Sequence, residues 1–582
     1  MPDTYHLFEH APAVSRRITA LAYSRFTQRL FRGDPSLWST APAARRSIKN
    51  RLGWLRAPER MLREVPRLES FAREARGEGL RQVVLLGMGG SSLCVEVFRR
   101  LFPPPAGSPD VIVLDGTVPE AVRRVESRLD FETTLFVVSS KSGTTAETAA
   151  LQAYFWAKTR RIRGRMASRH FVAITDPGTP LSEEAAARGY RAAFHNAPDI
   201  GGRYSALSYF GLVPAALGGL DIAEILRRAL DMLERCGPDV PAADNPGLTL
   251  GAALGTLARQ GRDKVLLLVD QGLRPYELWI EQLLAESTGK DGRGLIPVTA
   301  PQAPGPLRTA LVGADRVAVA IVLEESRNGR ALRRRVAGSG TPGVVLALKD
   351  RLDLGASMLQ WEVATAVAGA VLGVNPFDEP NVAESKKNTE AALEEFDATG
   401  RLREEPAALE EGRARVFLGG IKPPSGKRRT LAGAIRSLLA AGRPGDYLAL
   451  LAYVDPEGRP LRAALETARD ALLSRTGLAT TIGHGPRYLH STGQLHKGGP
   501  NTGLFIEVVP EDRVVLPIPG RAYDFETLKQ AQALGDYRVL KRRGRRVLRL
   551  RYLDGAPAAL RALVSAVRAG KSRAPAGRRK HR

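Results

Sequence analysis

The chain has 582 residues, 43% of them hydrophobic and 25% charged, a balance that fits a soluble globular protein and excludes disordered and fibrous classes. Its longest apolar runs, near 83–86, 111–114 and 266–269, fall well short of the roughly 18 residues of a membrane span, and Met1-Pro2-Asp3-Thr4-Tyr5-His6 lacks the basic-then-apolar order of a signal peptide. Cys94 and Cys236 are too few for a disulfide framework and suit a reducing cytoplasm.

At roughly 150 residues per domain the length predicts three or four units. The formal charge of +25 thickens at Lys541-Arg542-Arg543-Gly544-Arg545-Arg546 and in the tail 571–582. No aromatic residues interleave these clusters, so a solvated tail is expected and no nucleic-acid partner. A positive field also favours an anionic, phosphorylated substrate.

Residues 1–55 carry scattered apolar positions at helical spacing and predict a helical lead, followed by an amphipathic helix over 58–76. A buried strand at 83–86 runs into Gly87-Met88-Gly89-Gly90-Ser91-Ser92 and a helix at 93–101. The glycines let a ligand approach the main chain, and Ser91 is expected at the helix N-cap, although a tight turn without a ligand would read the same. Strands follow at 111–115, 134–138 and 171–175. The strand at 134–138 opens into Ser139-Ser140-Lys141-Ser142-Gly143-Thr144-Thr145-Ala146-Glu147-Thr148, where six hydroxyl side chains and a lysine crowd a helix start. That is the donor set a phosphomonoester needs, and more than capping alone requires.

Asp199-Ile200-Gly201-Gly202-Arg203-Tyr204-Ser205 brings the backbone close and projects one guanidinium, a group suited to a developing oxyanion. Alternation of strand and helix from 80 to 215 predicts a parallel α/β unit. A second unit follows the same plan: strands at 264–269, 317–323 and 343–348, a helix over 276–286, and a long apolar helix over 354–372 that leads into Asn375-Pro376-Phe377-Asp378-Glu379-Pro380-Asn381-Val382-Ala383-Glu384-Ser385-Lys386-Lys387. The helix over 276–286 ends in Leu283-Leu284-Ala285-Glu286-Ser287-Thr288-Gly289-Lys290, which puts Glu286 where a carboxylate can face a cleft; solvation or pairing with Lys290 is the plainer alternative. Residues 401–429 read as a linker. Beyond them lie strands at 447–454, 479–482 and 503–509, with a loop at 484–499 that holds His484, His490 and His496, three of the chain's eight histidines. No carboxylate or cysteine lies between them, so proton transfer is expected of this loop and no metal.

Taken together and in this order, these stretches resemble the glucose-6-phosphate isomerases, and in particular the isomerase part of transaldolase/glucose-6-phosphate isomerase fusions. The resemblance implies two sugar-isomerase (SIS) domains of parallel-sheet, three-layer α/β type, at 56–235 and 240–400. Around them it leaves the helical segment 1–55, the linker 401–429, a C-terminal α/β extension at 430–570 and the basic tail 571–582. It implies that Ser140, Lys141, Ser142, Thr145 and Thr148 bind phosphate, and that Gly90, Ser91 and Gln282 contact the sugar. Glu286 is implied as the base, Arg203 as the enediolate stabiliser and Lys386 as a contact to the opening ring. No cofactor is implied, and a cytoplasmic homodimer is.

Two departures stand out. The family usually has Gln where Glu379 stands, and its ring-opening His falls between the catalytic Glu and the lysine helix, where this chain has none. His490-Ser491-Thr492-Gly493-Gln494 resembles that element displaced downstream, which makes His490 the first candidate and His496 the second. The implied reaction is reversible aldose–ketose isomerisation, in which one partly buried carboxylate moves a proton between C2 and C1. An isomerase of another sugar phosphate, or a sensor that binds without turnover, are the alternatives; a sensor would have no need of Glu286.

Overall fold

The computed structural model describes residues 3–569; the basic tail at 571–582 lies outside the described residues. The first segment is helical apart from β1 (Thr4–His6), a strand absent from the sequence expectation. The first sheet contains β2 (Gln82–Gly87), β3 (Asp110–Leu114), β4 (Thr134–Ser139), β5 (Phe171–Thr175) and β6 (Ala192–His195), in the order β3-β2-β4-β5-β6 and parallel throughout. The second holds β7 (Lys264–Val269), β8 (Ile296–Thr299), β9 (Arg316–Leu323) and β10 (Gly343–Leu348), ordered β1-β10-β9-β7-β8. All its strands are parallel save β1, which closes the edge antiparallel to β10 by pairing Tyr5 with Val344.

The third sheet corrects the expectation at 401–429, because β11 (Leu409–Glu411) and β12 (Ala414–Gly419) belong to it. With β13 (Tyr447–Ala452), β14 (Ala479–His484), β15 (Gly503–Pro510) and β16 (Arg546–Tyr552) the order is β11-β12-β16-β15-β13-β14. β12 runs antiparallel to β16, and the last four strands are parallel. The sign of β12 in the sequence is a short period-two pattern, with Ala414 and Val416 buried beside half-buried Arg415. Arg-rich β16 also falls outside the sequence expectation, since Arg546 and Arg549 are buried against Asp446 and Glu404.

Because both faces of each central strand are covered, the strands read as continuous apolar runs. Val83 and Leu85 face the core shared with the second sheet, whereas Val84 and Leu86 face Tyr154 and Phe155 of helix α1 (Ala146–Arg163). The second sheet positions α2 (Glu277–Thr288) and α3 (Leu354–Leu372), the latter buried around its whole circumference, and leads into α4 (Pro380–Thr399). The third unit touches both others. Tyr447, Ala449 and Phe505 share a core with Leu266 and Ala320 of the second sheet, and Phe525 and Leu528 of α5 (Phe525–Arg542) pack under the first. Asp115 at the end of β3 takes Arg487 at 2.6 Å, and Arg124 takes Asp455 at 2.6 and 3.0 Å. Among the described residues no helix is long and apolar enough to cross a membrane.

Candidate active site

The carboxyl ends of β2 and β4 and the last turn of α2 converge on Glu286, the tenth residue of that helix. Its side chain is 9% exposed, and Oε1 lies 3.2 Å from Nη1 of Arg203. Gln282, one turn earlier on the same face, donates from Nε2 to Oε2 at 3.0 Å and to the carbonyl of His490 at 2.9 Å. Burial pushes Glu286 above the usual carboxylate value, against the pull of Arg203 and with a further push from Glu379. Pairing with Lys290 does not occur. That lysine bonds the Asn375 carbonyl and, at 2.8 Å, Asp378, and burial together with Arg203 lowers it to about 8.

Arg203 sits in the tight turn Gly202–Tyr204 and is held at every nitrogen. Nε donates to Ser287 at 3.0 Å, Nη2 to the carbonyls of Pro376 and Asp378 at 3.1 and 3.2 Å, and Nη1 to Glu379 at 3.0 Å. Burial alone would weaken the cation; Glu286 and Glu379 outweigh it and keep the group above its usual value. The glycine turn after β2 closes the site from the other side. Gly89 has φ +55°, and a Cβ there would stand 2.7 Å from the His490 carbonyl, while one on Gly90 would stand 2.1 Å from the Gly202 carbonyl. Ser91 is buried in a short 3-10 turn ahead of the helix rather than at its N-cap, which is Ser92, and its carbonyl accepts from Ser139 Oγ at 2.9 Å.

The hydroxyl-rich turn wraps the start of α1. Ser140 donates to Thr145 at 3.2 Å, Ser142 and Thr144 are 2.9 Å apart, and the helix start has no side-chain cap. Thr148 Oγ1 is buried with no hydrogen-bond partner among the described residues. Lys141 departs from this group: its ammonium bonds Asp176 and the Pro198 carbonyl and braces the turn.

His490 comes from the third unit, in the turn Arg487–His490 that follows β14. Its Nε2 meets Glu147 Oε1, on the first turn of α1, at 2.7 Å. Burial would raise Glu147, but His490 beside it, helped by Lys386, holds it below its usual value. Lys386 is exposed on α4, and its charge reaches that carboxylate. Gln494 fastens the loop to the second unit by donating to the Gly289 carbonyl at 3.0 Å and to Asn381 Oδ1 at 2.7 Å. His496 stays away from the site. It is enclosed by Tyr447, Tyr488 and Phe505, and burial lowers it to about 3.

Glu147 stands inside the hydroxyl-rich motif, yet nothing in the sequence assigns it a role. Gln532 reaches Glu147 from elsewhere, with Thr117 behind it, and neither carries a sequence signal, since Gln532 and Glu147 stand 385 positions apart. The turn 541–546 is not a free basic surface either: Lys541 pairs with Glu405, Arg542 and Arg543 with Glu384, and Arg546 with Asp446.

The family described as Phosphoglucose isomerase matches residues 62–294, a span that includes Arg203 and Glu286 but ends before Lys386 and His490. The chain is 30% identical over 398 residues to the Glucose-6-phosphate isomerase of Rubrobacter xylanophilus, covering 59% of this chain and 89% of that one. It is 31% identical over 391 residues to the enzyme of the same name from Symbiobacterium thermophilum, covering 59% and 86%. Among solved structures, a hypothetical protein from Thermus thermophilus superposes with a TM-score of 0.57 at 27% identity, over 67% of this chain and all of that one. A glucose-6-phosphate isomerase from Chlamydia trachomatis shares the fold at a TM-score of 0.51 and 22% identity, over 58% of this chain and 74% of that chain. By these relatives, of which it covers most of the length at 30% identity or more, the chain belongs to the phosphoglucose isomerase family.

Proposed function

We propose that this chain is a glucose-6-phosphate isomerase that interconverts glucose 6-phosphate and fructose 6-phosphate through a cis-enediol(ate). The observation that supports it most is Glu286 at 3.2 Å from Arg203, both buried, at the mouth shared by all three units. A carboxylate raised by burial is a competent base near neutral pH. It takes the proton from C2 and returns it to C1, while charge that gathers on the substrate oxygen falls to Arg203, a cation already oriented by five fixed acceptors. Ser140, Ser142, Thr145 and Thr148, with the uncapped start of α1, receive the phosphate, which supplies binding energy remote from the reacting carbons. Lys141 contributes by holding that turn. Gly90, Ser91 and Gln282 line the sugar between the two turns.

The sugar arrives as a ring, so a proton must leave the anomeric hydroxyl and another must reach the ring oxygen as the C–O bond breaks. With Nε2 of His490 committed to Glu147, its Nδ1 is the nitrogen that accepts the first, and Lys386 donates the second. The domain plan goes with this reading: SIS units at 56–235 and 240–400, and an extension that supplies the histidine. A cytoplasmic location and a homodimer are part of the same proposal. A coupled assay of fructose 6-phosphate conversion in the presence of EDTA tests it. The intact protein turns over, and Glu286→Gln loses about 10²- to 10⁴-fold in kcat, the usual contribution of a general base. Sugar-phosphate binding without turnover by the intact protein would leave a sensor, and equal activity in both would remove Glu286 from the mechanism.

A further inference from the structure

Helix α5 of the third unit reaches the site through a residue outside every motif. Gln532 donates from Nε2 to Glu147 Oε1 at 2.6 Å, and its own Oε1 accepts from Thr117 Oγ1 at 2.7 Å, in the loop after β3. Thr117, Gln532 and Glu147 are 0%, 3% and 5% exposed, so the chain Thr117–Gln532–Glu147–His490 is sealed from water at every link before the histidine. A primary amide has a fixed donor end and a fixed acceptor end; the ionised Glu147 carboxylate only accepts and so takes the NH2 end, and the Thr117 hydroxyl then donates to the oxygen. One turn further along the same face of α5, Asp536 pairs with Lys497 at 2.5 Å and accepts from Tyr488 at 2.8 Å, both in the loop that carries His490. The helix therefore grips the histidine loop directly through Asp536 and grips its catalytic contact through Gln532.

We infer that Gln532, backed by the Thr117 hydroxyl, is a positioning residue for ring opening, holding the Glu147 carboxylate at the one place where it fixes the His490 ring. This rests on the assignment of His490 to the ring-opening step. Glu147 Oε1 accepts from both the Gln532 amide and the His490 ring, and an ionised carboxylate there keeps the proton on Nε2 and leaves Nδ1 free to receive the anomeric proton. Without the amide the carboxylate can turn within its buried site, and the imidazole turns with it. Proton transfer between C1 and C2 by Glu286 does not pass through this chain of contacts, so the two steps separate.

The test uses the full-length protein with Gln532→Met, which keeps length and loses both polar ends, and Thr117→Val, which unlocks the amide from its far end. Two readouts are compared: kcat and KM for fructose 6-phosphate, which must be opened, and the inhibition constant of 5-phosphoarabinonate, an open-chain carboxylate that needs no opening. Gln532→Met is expected to lower kcat by up to about 10²-fold, the cost of misplacing a reacting group by an ångström, with KM and the inhibition constant within about threefold, or about 0.7 kcal/mol. Thr117→Val follows with a smaller loss of the same kind. Parallel loss of turnover and inhibitor binding would mean a structural role, and unchanged kcat in both variants would overturn the inference. Absence of turnover in the unsubstituted protein would instead overturn the isomerase reading.

Discussion

Arg203 Nη1 stands between two carboxylates, Glu286 Oε1 at 3.2 Å and Glu379 Oε2 at 3.0 Å, and they differ in access: Glu286 is sealed, while the Glu379 side chain is 42% exposed. Glu379 stands where the resemblance implies Gln, and it places a negative charge beside Glu286. Gln282, His490 and Arg203 all favour the ionised Glu286; burial and Glu379 oppose it. A base with a raised folded-state value loses its ionised form as pH falls through that value, so the acid limb of kcat/KM reports Glu286. Replacing Glu379 by Gln removes one of the two raising influences. The acid limb of Glu379→Gln is expected to move to lower pH, and the plateau rate to fall by less than about 10²-fold, the least that loss of a general acid or base costs. A pH–rate profile of both proteins checks this; an unmoved acid limb would mean that Glu379 does not act on the base.

Helix α2 carries a second pair of acids on another face. Glu277 and Glu281, one turn apart, lie between the second and third units, facing Arg274, Glu466 and Arg469 at one end and Arg487 at the other. Burial raises Glu277 to about 7, and burial with the neighbouring Glu277 raises Glu281 to about 8. For a carboxylate raised on folding, the unfolded chain gives up its proton first, so stability declines as pH rises from the ordinary value through the folded one. Glu281→Gln should therefore match the parent near pH 4.5 and exceed it at pH 8.5 by roughly 2 kcal/mol, given 1.4 kcal/mol per unit of pKa shift and partial solvent access. Denaturant titrations at the two pH values measure this, and equal midpoints at pH 8.5 would refute it. The amphipathic period of α2, the buried runs of β2 to β5, β7, β9 and β10, and the hydroxyl-rich turn are local patterns, and all three were legible in the sequence. The short edge strands β1, β6, β8 and β11 were not, because three or four residues carry no period and their pairing is set by the sheet edge they cover. Nor could the sequence choose His490 over His496 by chemistry alone; what separates them is that one faces Glu147 and the other is walled in by three aromatic rings.

At the scale of the molecule, the third unit brings His490 and Gln532 onto Glu147 of the first. Arg203 and Glu147 of the first unit, Glu286, Gln282 and Glu379 of the second, and His490 and Gln532 of the third form one connected set of contacts within the chain. Besides the shared apolar cores, two charged pairs help seat the third unit, Arg487–Asp115 at 2.6 Å and Arg124–Asp455 at 2.6 and 3.0 Å, and Lys264 bonds the Gly445 carbonyl. Such pairs contribute orientation more than net stability, because desolvation offsets most of their attraction. Their geometric demand is what a histidine delivered from a separate sheet requires. The residues that the proposed function assigns to the reaction all lie in one chain. Specific activity is expected to stay constant on dilution from about 1 µM to about 1 nM, a range over which an association of ordinary affinity comes apart by mass action. A fall in specific activity that tracks dissociation, followed by sedimentation at matching concentrations, would show that a second copy completes the site and that His490 is not its sole source of a ring-opening base.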